Sequence, residues 1–193
     1  MADPVLHLLA GPNGAGKSTL HEKVIGPTTH LEFVNADVIA AARWPSAGAE
    51  RSYDAAVLAS ERRAELFATG ASFVTETVFS HPSKVVLARA AMDLGYLVTL
   101  HVLLVPEALS VARVVNRVQH GGHAVPEAKV RERYRRLWPL VAEAIGITSA
   151  AEVYDNSRAD QPFRRIARFE HGAAAVEADW PAWTPDALRR APA

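Results

Sequence analysis

Four side chains of this sequence are suited to phosphate chemistry: Lys17, Ser18, Asp37 and Glu76. An ammonium group can neutralise phosphate charge, and a hydroxyl can take a position on a divalent cation. A carboxylate can accept the proton of an attacking alcohol. Lys17 and Ser18 fall within the run Gly11-Pro12-Asn13-Gly14-Ala15-Gly16-Lys17-Ser18-Thr19, which fits G-x-x-x-x-G-K-S. In such a loop the glycines let backbone N–H groups turn inward on a β-phosphate, and the following helix points its positive end at the same anion. Lys17 then reaches the β- and γ-phosphates and Ser18 binds Mg²⁺. An apolar run, Val5 to Leu9, precedes the loop, and sequence able to continue as a helix follows it. A glycine-rich turn that only joins strand to helix would not need the Lys-Ser pair. The expectation is a site for ATP or GTP.

The second strand ends in Asn35-Ala36-Asp37. Asp37 is placed either as the base for phosphoryl transfer to an alcohol or as the N-cap of a helix over 38–43. The third strand ends in Thr75-Glu76-Thr77, where Glu76 and Thr77 could hold a substrate, Glu76 could hold a Mg²⁺-bound water, or Glu76 could simply be solvated. No apolar run ends in the Asp of a usual Walker B motif, so Glu76 and Asp37 are the available substitutes. Arg113 and Arg117 lie four apart on one helix face, opposite Leu109, Val111 and Val118. Gly121-Gly122 and His123 follow, then a helix carrying Arg131, Arg133, Arg135 and Arg136. Two helices joined by Gly-Gly form a lid whose arginines can fold over a γ-phosphate. The alternative for each arginine is surface charge, since Glu127 with Arg131 and Glu132 with Arg136 are i, i+4 pairs worth only ~0.3–0.5 kcal/mol each. Tyr154-Asp155-Asn156-Ser157 reads as one wall of an adenine pocket or as a plain turn. The eight histidines show no metal-ligand spacing, and Trp44, Trp138, Trp180 and Trp183 read as core or surface anchors.

Alternating strands and helices must position these groups. Strands are expected at Val5–Ala10, Leu31–Asn35, Ala71–Glu76, Tyr96–Val105 and Ala151–Tyr154, with helices between them and a terminal hairpin over Phe163–Val176. Pro139 is expected to kink the helix that Pro126 opens. Such an order implies an α/β fold: a P-loop NTPase three-layer αβα sandwich with a mainly parallel sheet and a helical lid. The 193 residues read as a single domain, residues 1–193, with a core over 5–157 and a C-terminal extension over about 158–193. The tail after Trp180 is expected to be poorly ordered.

Hydrophobic residues make up 49% and charged residues 22%, the proportions of a globular protein. Lys plus Arg and Asp plus Glu both total 21, so no net field draws the chain to nucleic acid or anionic membrane. The absence of cysteine excludes disulfides and thiolate chemistry and fits a cytoplasmic location. No secretion signal is read at the N-terminus, and no apolar run is long enough to span a bilayer.

Taken in order, these segments resemble the zeta toxin family of P-loop kinases. The matching stretches are Ala10 to Thr19, Asn35-Ala-Asp37 with Ile39-Ala40, Glu76-Thr77 with Ser80, and Gly95-Tyr96. The most specific is Arg113-Val-x-x-Arg117-Val-x-x-Gly121-Gly-His-x-Val-Pro126, leading to Arg133-Tyr134 and then Tyr154-Asp-Asn-Ser157. The resemblance implies ATP- and Mg²⁺-dependent transfer of the γ-phosphate to the 3′-hydroxyl of the amino sugar in UDP-N-acetylglucosamine. It implies Asp37 as base and Lys17 and Ser18 on phosphates and metal. Glu76 and Thr77 become substrate contacts, and Arg117 with Arg131 or Arg133 stabilises the transferred group. It also implies a protein antitoxin as partner. The segment after Tyr134 reads Arg135-Arg136-Leu137-Trp138-Pro139, a departure from the family's Arg-Ser and Asn-Leu, and it bears on the acceptor more than on the reaction. A polynucleotide 5′-kinase or a nucleotide-gated binding module is the alternative, although zero net charge and the lack of an aromatic-basic groove speak against nucleic acid.

Overall fold

The structure is a computed structural model, and it describes residues 3–47, 50–119 and 125–190. β1 (Val5–Ala10) leads through the glycine-rich loop into α1 (Lys17–Leu20), one π-helical turn (His21–Ile25) and α2 (Gly26–Thr29). The helical segment after the loop thus continues to Thr29, and the wider π turn accommodates Pro27, which has no N–H to give. β2 (Glu32–Val34), α3 (Ala36–Arg43), α4 (Ser52–Thr69), β3 (Phe73–Thr77), α5 (Ser83–Asp93) and β4 (Leu97–Leu104) follow. α6 (Glu107–Gln119), α7 (Glu127–Ile147), β5 (Ala150–Asp155), β6 (Arg164–Glu170), β7 (Ala173–Ala174) and α8 (Asp186–Arg189) complete the chain.

The seven strands form one sheet in the order β2-β3-β1-β4-β5-β6-β7. β2, β3, β1, β4 and β5 pair in parallel in that order, β6 pairs antiparallel with β5, and the terminal hairpin β6–β7 expected over 163–176 forms the edge. β1 sits at the centre of the five parallel strands, and the chain passes to opposite sides of it in β3 and β4. That is the topological switch point, and a crevice opens there at the carboxyl ends of the strands.

Both faces of the sheet are covered, giving the expected three-layer sandwich. On one face Leu6, Leu8 and Ala10 of β1 and Val98, Leu100, Val102 and Leu104 of β4 pack with residues of α4, α5 and α7. On the other, Leu9, Val74, Leu103 and Tyr154 pack with Leu20 and Ile25, and Leu109 of α6 closes over them. The alternate positions of β1, β3, β4 and β5 therefore feed different cores, so their register is strongly specified.

α7 runs through Pro139, which lies on its exposed side, to Ile147. One expectation is corrected. The tail after Trp180 is not loose over its described length: Trp183 and Ala187 pack on the main core, Leu188 is buried, and Arg189 donates to the carbonyls of Pro181, Ala182 and Thr184. Of the anchors, Trp138 is buried, while Trp180 packs partly buried against the same core.

Candidate active site

The loop after β1 is held from behind. Ser110 Oγ of α6 donates to the Asn13 carbonyl at 2.7 Å, Arg113 Nη1 to the Gly14 carbonyl at 3.3 Å, and Asn156 Nδ2 to the Ala15 carbonyl at 2.8 Å. Because each peptide is planar and trans, carbonyls drawn outward leave the N–H groups of Gly14 and Gly16 on the opposite, inner side. Gly16 has φ 95° and Gly11 φ 150°, backbone that side-chain-bearing residues rarely adopt. A Cβ on Gly16 would lie 2.5 Å from Asn156 Nδ2, and one on Gly11 2.7 Å from the Leu103 carbonyl oxygen. The loop is thus shaped before any ligand enters.

Lys17 is buried at the end of this loop, where Nζ donates to the carbonyls of Gly11 at 3.1 Å and Pro12 at 3.0 Å. Burial holds its ammonium below the usual range. The charges of Glu76 and Asp37 oppose that shift, and the Arg117 charge adds to it. Those three side chains therefore lie close enough to act on Lys17. A buried cation with one carboxylate at 3.7 Å, Glu76 Oε1, is a ready receptor for further negative charge.

Glu76 is the meeting point of three segments. In the β1–β3 register it pairs with Leu9, which puts it beside the start of the loop. Its Oε2 accepts from Ser18 Oγ at 2.7 Å and from Asn35 Nδ2 at 2.8 Å. Asn35 is buried, and its Oδ1 accepts from the backbone N–H of Asp37 at 2.7 Å and of Val38 at 3.3 Å. Asn35, not Asp37, is therefore the N-cap of α3. The capping role weighed for Asp37 is corrected, and its exposed carboxylate is left for other work in the first turn of α3. Thr77 faces the same cavity as Glu76, with its hydroxyl accepting from the Phe79 N–H at 3.2 Å.

A second pocket of about 300 Å³ lies on the outer side of the loop, between Gly14, Gly16, Thr19, Arg113, Asn156 and Phe163. Asn156 is buried, and Arg113 Nη2 donates to its carbonyl at 3.0 Å. Asn156 Oδ1 accepts from the Phe163 N–H at 3.3 Å, which fixes an aromatic residue at the rim that the sequence did not single out.

The arginines of α6 and α7 separate into distinct states. Arg113 is committed to the loop and to Asn156, while Arg117 is exposed with its charge felt at Lys17. Arg131 is already engaged by Glu127 at 2.8 Å and Glu107 at 3.5 Å, and Arg136 by Glu132 at 3.3 Å, the i, i+4 pairs expected from spacing. Arg133 is half-buried and has no hydrogen bond or ion pair among the described residues. The apolar face of α6 is Val111 and Val114 against Val130, with Val118 on the exposed side instead. The Gly121-Gly122-His123 turn lies outside the described residues. No group of three or more metal-ligating His, Cys, Asp or Glu occurs among the described residues, and no described helix is long and apolar enough to cross a membrane.

Comparison with known proteins agrees with this geometry. A family model described as an AAA domain, AAA_33, matches residues 6–140. No curated protein matches the chain. Among solved structures, a chain of the AvrRxo1-ORF1:AvrRxo1-ORF2 complex with sulphate ions matches 91% of this chain and 61% of its own, at 20% identity and TM-score 0.70. The same complex with ATP matches the same shares at 18% identity and TM-score 0.61. A protein of Chloroflexus aurantiacus j-10-fl, described provisionally as a kinase, matches 83% of this chain and 92% of its own at 16% identity and TM-score 0.64. A chain of the PezAT chromosomal toxin-antitoxin system of Streptococcus pneumoniae matches 86% and 72% at 15% identity and TM-score 0.62. This chain therefore spans about three fifths of the length of the AvrRxo1 chains it matches. At these identities the likeness is one of fold, a P-loop kinase-like fold.

Proposed function

This chain belongs to the AAA domain family, and from that premise we propose that it is an ATP-dependent phosphotransferase of zeta toxin type. The γ-phosphate passes to a sugar hydroxyl of a nucleotide sugar, with UDP-N-acetylglucosamine the favoured acceptor. The observation that carries this reading is the junction at Glu76, where Ser18 and Asn35 share one carboxylate oxygen and Asp37 stands two residues beyond the cap. It links the phosphate loop to a free carboxylate, which is what transfer to an alcohol requires and what simple nucleotide binding does not.

In this reading ATP lies with its triphosphate along the Gly11–Ser18 loop and its base in the pocket of Arg113, Asn156 and Phe163. Asp37 accepts the acceptor's proton, and Arg117 with Arg133 stabilises the charge on the transferred group. Arg131 serves through its ion pairs with Glu107 and Glu127, which steady the first turns of α6 and α7. The donor set of Ser18 and Glu76, a hydroxyl and a carboxylate both offering oxygen, suits Mg²⁺, which takes its other ligands from phosphates and water. When bound, that ion would neutralise charge building up between the β- and γ-phosphates. A protein antitoxin is the partner that accompanies this reading, and the cytoplasm, where ATP and nucleotide sugars meet, is its location.

The test is product analysis. The chain is incubated with labelled ATP, Mg²⁺ and a panel of nucleotide sugars, and acceptors are examined for a gain of one phosphate. A phosphorylated UDP-amino sugar is expected. Transfer only to RNA 5′ ends would move the assignment to polynucleotide kinases, and ATP binding without any transfer would make the chain a nucleotide-gated binding module.

A further inference from the structure

Two cations of this chain are set together with no ion-pair partner among the described residues. Arg63 on α4 and Lys84 in the first turn of α5 are each half-buried, and they line the same two adjoining cavities, of about 180 and 280 Å³. The smaller cavity is walled also by Ala36, Thr75, Glu76 and Thr77, so it shares the carboxylate that binds Ser18 and Asn35. Neither cation makes a hydrogen bond or an ion pair among the described residues. The contrast with the preceding residue in the chain is direct: Arg62 is held by Glu32 and by Glu65, both at 2.7 Å. Burial lowers the pKa of Arg63 and of Lys84, and the Arg63 charge lowers Lys84 further. Two like charges half-removed from water and unpaired are an unfavourable arrangement in the free protein, and an anion between them relieves it.

We propose that Arg63 and Lys84 form an anion subsite of the acceptor pocket, which holds a phosphate monoester or diphosphate group of the acceptor. This assignment rests on the kinase reading above and adds the residues that hold the acceptor's phosphate. Two cations match a doubly charged group better than a single carboxylate. An arginine fork beside a lysine point charge is also a common way of holding phosphate oxygens. The small cavity suits the anion, and the larger one beside it leaves room for what the anion carries. Acceptors without a phosphate, such as free amino sugars, are then poor substrates even though they present the same hydroxyl.

Inorganic pyrophosphate is the probe. It is titrated calorimetrically into the full chain already saturated with a non-hydrolysable ATP analogue, so that the phosphate loop is filled. One equivalent is expected to bind, and Arg63→Gln and Lys84→Gln are each expected to weaken it about tenfold or more, the loss of one charge-assisted contact. Lys84→Arg, which keeps the charge, is expected to retain binding, and the unfolding midpoint of each variant checks that it folds. Absence of pyrophosphate binding to the filled protein, or affinity unchanged by both glutamine substitutions, would overturn the assignment. Since this readout needs no turnover, a chain that binds pyrophosphate but transfers nothing would sink the kinase reading alone. A kinase whose acceptor KM ignores both substitutions would sink the subsite alone.

Discussion

Ser18 Oγ donates to Glu76 Oε2 at 2.7 Å, and through that bond the end of β3 is tied to the residue that follows the loop lysine. On the proposed reading, Glu76 would support Ser18 as a metal-binding hydroxyl, the place the sequence leaves without a usual Walker B aspartate. Glu76→Gln is expected to lower the transfer rate about 100-fold, the scale of one lost electrostatic contact at a transition state, and to raise the Mg²⁺ needed for half-maximal rate. Binding of an ATP analogue without metal should change little. Steady-state rates at varied Mg²⁺ measure this, and an unchanged Mg²⁺ dependence would refute it.

Asn35 has two functions that substitutions can separate. Asn35→Ala removes the cap of α3 and the donor to Glu76, which is expected to cost about 1 kcal/mol for the cap alone and to lower the unfolding midpoint by ~2–4 °C. Asn35→Asp keeps a capping oxygen but sets a second carboxylate against Glu76. Calorimetric melts should therefore find the Asp variant's folding defect at high pH relieved as pH falls and a carboxylate protonates, while the Ala variant's is not relieved.

The glycine at position 16 leaves no room for a methyl group. Gly16→Ala places a Cβ 2.5 Å from Asn156 Nδ2 on backbone at φ 95°, so either the loop or Asn156 must move. ATP affinity is expected to fall at least tenfold, with a stability loss of about 1–3 kcal/mol. Titration with a fluorescent ATP analogue checks the first number and urea unfolding the second.

His101 makes the fold sensitive to acid. It lies in a buried chain in which His7 Nδ1 meets His101 Nε2 at 2.9 Å and His101 Nδ1 meets the Tyr154 hydroxyl at 3.3 Å, with Tyr154 donating to Glu152. Burial first, and the His7 charge second, push its pKa down to about 4 from an ordinary 6.5, against the pull of Glu152. Between those values the unfolded chain binds a proton that the folded chain does not. Stability is therefore expected to fall as pH drops from 6.5 towards 4 and to level off below, by at most about 3 kcal/mol from this group. Urea midpoints across that window should show a shallower slope in His101→Gln, and an identical slope would count against the assignment.

The loop and the succession of strands and helices along the chain are legible because both rest on local signals. Glycines at positive φ, the Lys-Ser pair and apolar runs of strand length need no knowledge of distant residues. The role of Glu76 was not legible in full, because its bond to Ser18 depends on the β1–β3 register that sets it beside Leu9. The same distance effect hid Arg63 and Lys84, which look like surface charge on two separate helices until α4 and α5 close one cavity around them. Spacing leaves Asp37 open as base or cap, and only the backbone hydrogen bonds give the cap to Asn35 two positions earlier. The tail was misjudged because its prolines suggested a loose chain, whereas Leu188 and Trp183 bury enough apolar surface to pin it.

The measurement that bears most directly on the central claim is the rate of phosphate transfer by Asp37→Asn beside that of the unaltered chain, with ATP-analogue affinity determined for both. Asn keeps the size of the side chain and the cap supplied by Asn35, and it removes only the basicity. A fall in kcat of about 10² to 10⁴ with affinity within twofold is expected of a lost general base. Transfer at an undiminished rate would contradict the account, because the exposed carboxylate beside the Ser18–Glu76–Asn35 junction would then not be the group that takes the acceptor's proton.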